Sequence, residues 1–174
     1  MPIAIISRIV YNVSKEQVKC IFVVKGGDDK MLLGKYKHTI DAKNRVFIPA
    51  KFRTELGERF IIARDIADNC LNLYSLEQWT IFEQKINELP GIQMRRIKQF
   101  IYFGADEVTL DSMGRIVIPG ELCKEMSMEG EVAIIGMSSF AQIWKQGDWE
   151  KQSAGLNEAE SRESIINELI DIGF

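Results

Sequence analysis

Histidine is nearly absent from this sequence, with only His38 among 174 residues. That removes the commonest general base and the commonest metal ligand. The three cysteines, Cys20, Cys70 and Cys123, form no C-x-x-C pair and are odd in number. They support neither a zinc site nor a disulfide framework, and reduced cytoplasmic thiols fit them best. Cys70 and Cys123 have apolar neighbours and read as small core residues. No nucleophile elbow, Gly-rich phosphate loop or histidine–carboxylate metal spacing occurs. The adjacent carboxylates Asp28-Asp29 and Asp106-Glu107 read as solvated pairs. The chain is therefore read as no enzyme, with no cofactor and no metal. No apolar run approaches the roughly 20 residues that cross a bilayer, and the Met1–Val10 run, broken by Arg8, makes a poor signal peptide. An excess of positive charge is also missing, the net charge being −3.

What the chain does have is an internal repeat. His38-Thr39-Ile40-Asp41-Ala42-Lys43-Asn44-Arg45-Val46-Phe47-Ile48-Pro49 returns as Val108-Thr109-Leu110-Asp111-Ser112-Met113-Gly114-Arg115-Ile116-Val117-Ile118-Pro119. The same offset of 70 relates Gly34 to Gly104, Tyr74 to Trp144 and Trp79 to Trp149. A compensated shift between them aligns Phe60–Ala63 with Val132–Ile135. Two copies of one supersecondary unit make up most of the protein.

The spacing within the unit predicts its shape. A strand runs into Asp41 and another leaves from Arg45, so the residues between form a tight reversal. An Asp opening a turn bonds backbone N–H groups just ahead of it, and the Asn44/Gly114 position calls for left-handed backbone. Asp41 and Arg45, like Asp111 and Arg115, are placed to pair across the turn. Pro49 and Pro119 each open a short helix. The fold class expected is α+β, with two tandem units in one pseudo-symmetric domain, since about 50 residues alone would be marginal.

Charge separates the two copies. Residues 31–54 carry Lys35, Lys37, Lys43, Arg45, Lys51 and Arg53 against Asp41, a balance of +5. The equivalent residues 101–124 carry Arg115 and Lys124 against Asp106, Glu107, Asp111 and Glu121, a balance of −2.

The duplicated Asp-x-x-x-Arg hairpin with its Ile-Pro exit, led in by Met31-Leu32-Leu33-Gly34-Lys35-Tyr36, resembles the MraZ family from Met31 to the C-terminus. The resemblance implies an AbrB-like fold of two interlocking swapped hairpins. It implies a cytoplasmic, nucleoid-associated transcriptional regulator of the division and cell-wall gene cluster. Such a protein binds short direct repeats in double-stranded promoter DNA upstream of its own operon, as a homo-oligomeric ring. The sequence departs from the family pattern at Asn44, where Gly is usual, and in its first 30 residues.

In chain order, residues 1–30 read as a leader or disordered extension. Lys25-Gly26-Gly27-Asp28 can be encoded by a strong ribosome-binding sequence just before Met31, so they are expected to lie outside the native protein. The first repeat spans 31–80, a helical connector 81–102, the second repeat 103–150 and a helical tail 151–174. Met31–Ile40 is the first strand, and Phe60–Ala63 and Leu71–Tyr74 form a hairpin. Gly57 caps the helix after Pro49. Ser75 and Gln78 form a capping box for a helix with Leu76, Trp79, Phe82, Ile86 and Leu89 on one face, stopped by Pro90-Gly91. A second helix from Ile92 to Phe103 presents Met94, Ile97, Phe100 and Ile101 on one side and Arg95, Arg96 and Lys98 on the other. Gly147, Ser153 and Gly155 are expected to make the helix begun near Trp149 less continuous than its partner. The amphipathic tail, Leu156 to Ile170, is too short to stand alone, so it is expected to dock on its own domain or a neighbour.

For chemistry, Arg45 leaves a loop held out by two strands, the way a β-ribbon offers side chains to a groove. A guanidinium forks onto guanine or phosphate where an ammonium gives one point contact. Lys35, Lys37 and Lys43 would add phosphate contacts. Arg115 is a further DNA-binding candidate, but its acidic setting favours an ion pair with Asp111. Asp41, Asn44, Asp111 and Gly114 are expected to orient the loops. His38 is either a packed strand residue, the favoured reading, or a phosphate contact. The alternative function is an oligomeric protein-interaction module of the antitoxin kind, which would not need its charge segregated.

Overall fold

A computed structural model describes residues 31–88 and 93–173. Residues 1–30, Leu89, the Pro90-Gly91 stop, Ile92 and the side chain of Met94 lie outside the described residues. The first half runs β1 (Lys35–Ile40), β2 (Arg45–Phe47), α1 (Ala50–Leu56), β3 (Arg59–Arg64), β4 (Cys70–Ser75), α2 (Leu76–Glu88) and α3 (Gln93–Phe103). The second half repeats this order with β5 (Ala105–Thr109), β6 (Arg115–Val117), α4 (Gly120–Glu125), β7 (Gly130–Gly136), β8 (Ala141–Lys145), α5 (Gln146–Asn157) and α6 (Ala159–Asp171). The fold is α+β.

The two halves are not side by side. The six-stranded antiparallel sheet is ordered β1-β7-β8-β4-β3-β5, and β2 pairs with β6 in a separate two-stranded ribbon. Each half thus gives its first strand to the other half's third strand. Exchanging the halves leaves the order unchanged, which is a pseudo-twofold axis. Equivalent residues face each other on it: Val46 opposite Ile116 in the ribbon, and Asn72 opposite Gln142 in the sheet. The second pair is bonded, the buried Gln142 Nε2 donating to Asn72 Oδ1 at 3.2 Å. Lys35 opposite Ile135 and Ala105 opposite Ala63 match with an offset of 72 in β3 and β7, the compensated shift expected from Phe60–Ala63.

Alternation along the strands sends side chains to two faces. On one face, Phe60, Ile62, Leu71, Leu73, Val132, Ile134 and Ile143 meet Phe52 of α1, Leu122 of α4 and the ribbon's Val46 and Ile116, making the main core. Each fully buried aliphatic or aromatic side chain there contributes on the order of 1.5–3 kcal/mol. On the other face, α2 covers Ala63 with Trp79 and Ile86, and α5 covers Ala133, Ile135 and Cys70 with Trp149. Cys70 and Cys123 are both buried, and burial pushes the Cys123 thiol up.

Several expectations need correction. The first strand starts at Lys35; before it, Leu32 makes only an isolated bridge to Ser138, because Gly34 turns the chain at φ +114°. Ser75 Oγ accepts from the Gln78 N–H at 3.2 Å, but Leu76 beside it is exposed rather than on the buried face. Among the described side chains of α3 only Ile101 is buried, with Ile97 and Phe100 exposed. α5 is continuous over 146–157. Its glycines sit in the first and last turns, where nothing within 4 Å meets either Cβ position, so they cost little. Leu156 belongs to α5, and α6 begins at Ala159 with no buried residue. The tail helix buries none of its own residues, and α5 is the element it touches most.

Candidate nucleic-acid interface

Both Asp-x-x-x-Arg turns close in the same way. Asp41 Oδ1 accepts from the backbone N–H of Lys43 at 2.8 Å and of Arg45 at 3.0 Å. Its Oδ2 accepts from Arg45 Nε and Nη2, each at 2.7 Å. In the second turn Asp111 Oδ1 accepts from the N–H of Met113 and Arg115, both at 2.9 Å. Its Oδ2 takes Arg115 Nε at 2.8 Å and Nη2 at 2.7 Å. Backbone hydrogen bonds hold both Asp carboxyls below their usual range, the guanidinium adding to this. Each Asp is saturated inside its own turn, and each Arg keeps its Nη1 without a partner among the described residues. Asn44 adopts φ +57° and Gly114 φ +79°, as the reversal demands.

The turns are also bonded to each other. Ile48 N–H donates to Gly114 O at 3.0 Å, and Ile118 N–H donates to Asn44 O at 2.9 Å. Above Gly114 lies the Arg53 guanidinium, whose Nε donates to Ile48 O at 2.7 Å. A Cβ at Gly114 would fall 2.1 Å from Arg53 Cζ. The equivalent of Arg53 in the second half is Cys123, which stays below its own ribbon strand. No guanidinium from that position stands over Asn44, whereas a Cβ at Gly114 would displace Arg53. Gly114→Ala is expected to lower stability by about 1–2 kcal/mol from left-handed backbone alone, and further from displacing Arg53. Its urea midpoint should fall well below that of Asn44→Gly, and a fall no larger than the backbone strain alone accounts for would show that Arg53 moves aside freely.

The ribbon sorts its side chains by parity. Val46 and Ile116 point into the core. Arg45 and Phe47 on one strand, with Arg115 and Val117 on the other, share the outward face. Arg45 lies opposite Val117 and Phe47 opposite Arg115, so the arginines occupy two corners of a small square and apolar groups the others. The Arg115 guanidinium sits 5.6 Å from the Phe47 ring centre. Phe47 is 39% and Val117 56% exposed. Lys43 is exposed at the tip of the first turn, and Met113 takes its place in the second.

Other candidates lie elsewhere. Lys35 is at the far end of β1, on the sheet face away from the ribbon, with Nζ 5.3 Å from the centre of the Trp149 ring. Lys37 is exposed on that same face, opposite Ala133. Neither is brought to the turns. His38 is half-buried, and burial, with the nearby Arg53 charge, lowers its pKa. Phe47 and Val117 were not singled out from the sequence, although period-two alternation in Arg45-Val46-Phe47 places Phe47 beside Arg45. Among the described residues no group of His, Cys, Asp and Glu is placed to hold a metal, and no helix is long and apolar enough to cross a membrane.

The family model described as "MraZ protein, putative antitoxin-like" matches this chain twice, over residues 31–97 and 101–169. The chain belongs to the MraZ family. It is 42% identical over 146 residues to "Transcriptional regulator MraZ" of Alkaliphilus oremlandii, covering 83% of this chain and all of that protein. Proteins of the same name match over the same shares of each chain, at 44% identity over 146 residues in Thermoanaerobacter sp. X514 and 37% over 147 residues in Clostridium tetani. In this MraZ chain both matched segments contain one Asp-x-x-x-Arg turn and the strands it exchanges with the other half.

Proposed function

We propose that this protein is a sequence-specific DNA-binding transcriptional regulator of the division and cell-wall gene cluster. It binds short direct repeats upstream of its own operon as a homo-oligomeric ring, in the nucleoid. The observation that carries this reading is the outward ribbon face, where saturated Asp residues hold two guanidinium groups whose Nη1 has no partner among the described residues. Such a face suits a groove, the arginines forking onto guanine or phosphate and Lys43 adding a phosphate contact.

The two turns differ chemically, Lys43-Asn44 against Met113-Gly114. A directional reader of this kind favours direct repeats over palindromes, which symmetric dimers match. Assembly is supported by exposed apolar side chains, Ile166 and Ile170 on α6 and Phe103 on α3. Several subunits on successive repeats gain by effective concentration what one small patch lacks. The same uncovered α6 residues favour the second reading, a protein-interaction module of the antitoxin kind.

A titration of the full chain against its own upstream duplex and a scrambled duplex separates these readings. Preference for the native duplex, with log affinity falling linearly as log salt rises, supports the regulator. Oligomers that bind neither duplex favour the interaction module.

A further inference from the structure

The outward corners of the ribbon held by Phe47 and Val117 are anomalous for a strand facing water, where polar side chains are the rule. The fold does not need them there, because Val46 and Ile116 already supply the ribbon's core contacts at 0% and 1% exposure. A second copy of the chain is a poor occupant for this spot. Within the ribbon the outward apolar surface is two side chains wide, and each is set opposite an arginine. The major groove is different: it presents acceptor-rich guanine edges and phosphates together with the 5-methyl groups of thymine. A surface alternating guanidinium and apolar groups complements that mixture in both charge and polarity.

Resting on the DNA-binding reading, we infer that Phe47 and Val117 read thymine 5-methyl groups beside the positions taken by Arg115 and Arg45. The neighbouring arginines set orientation, and the apolar pair adds a choice of thymine over cytosine at adjacent steps. Because the cross-strand pairs are Arg45–Val117 and Arg115–Phe47, each arginine has its own apolar partner, and the two pairs run antiparallel. Phe47 reaches further than Val117, so the position under Phe47 should be the stricter of the two.

The test uses deoxyuridine, which differs from thymidine only by that methyl. The duplex immediately upstream of the gene is prepared once with thymine and once with deoxyuridine throughout. The full-length protein, Phe47→Ala, Val117→Ala and the double variant are titrated against both. Wild type is expected to bind the thymine duplex roughly fourfold better for each methyl it covers. The double variant should bind both duplexes equally, with Phe47→Ala losing more of the preference than Val117→Ala. These side chains are outside the core, so circular dichroism and size-exclusion profiles should match wild type. Equal binding of both duplexes by wild type overturns the inference and leaves the DNA-binding reading intact. A thymine preference that survives in the double variant also overturns it, since the methyl is then read elsewhere or through DNA shape. A double variant that loses its assembly while keeping the preference makes the pair a subunit contact. Wild type that binds neither duplex overturns the DNA-binding reading itself.

Discussion

Arg45→Ala is expected to weaken binding to the upstream duplex by roughly ten- to a hundredfold, the range for losing one good forked contact. The loss should grow where several subunits bind together, since each contributes the same contact. Stability should hardly change. The largest influence keeping Asp41 ionised is the backbone N–H of residue 45, and alanine retains that N–H. The turn therefore stays closed while its guanidinium is gone, and melting curves of variant and wild type should coincide. Arg45→Lys keeps the charge but cannot bond to Asp41 and reach outward in one plane. It should recover salt-dependent, unselective binding without the preference for the native sequence. Arg115→Ala should cost less, because that side chain is 20% exposed against 32% for Arg45 and its guanidinium lies over Phe47. Anisotropy titrations at several salt concentrations check all three. If wild type and Arg45→Ala bind alike, Arg45 only closes its turn and the contact surface lies elsewhere.

Much of this arrangement was legible because it is local. Asp, its Arg four residues on and an Asn or Gly between them specify one reversal, and the chain builds it twice. The helix after Pro49 and its Gly57 end follow from local rules, and so does the β3–β4 hairpin. Which strands pair was not legible from periodicity. The alternation of β1 is satisfied by any antiparallel partner, and the exchange of first strands came from the family resemblance alone. The position of Lys35 was readable from distance. It precedes Asp41 by six residues, so an extended strand carries it about 20 Å from the turn. Arg53 is the harder case. Its charge was visible, but its place above Gly114 depends on the opposing half. The exposure of α6 was hidden for the same reason, since α3 returns to the sheet through Ile101 and Arg64 while its counterpart buries no residue.

Phe52→Ala should produce the largest loss of stability, about 3–5 kcal/mol for a buried aromatic cut to alanine. Phe52 is fully buried and meets the Tyr36 ring edge-on, with centroids 5.2 Å apart and planes at 84°. Its helix belongs to the first half, but Tyr36 sits on β1, whose ladder is with β7 of the second half. The cavity would therefore loosen the place where the exchanged strands are locked, against a total stability that for such domains is on the order of 5–15 kcal/mol. Phe52→Leu should cost far less, since the second half already uses Leu122 at the equivalent position. The exchange also predicts how the protein unfolds. Neither half keeps its sheet without the other's strand, so both should melt in one transition. Trp79 packs beneath α2, while Trp144 and Trp149 pack together beneath α5. Urea unfolding of the Trp79→Phe protein, followed by fluorescence, therefore reports on the second half, while far-UV circular dichroism reports on the whole. Coincident midpoints at fixed protein concentration, shifted together by Phe52→Ala, are the expected result. Two separated transitions would mean that each half holds a core of its own, and that the exchanged strands are an attachment rather than the basis of the fold.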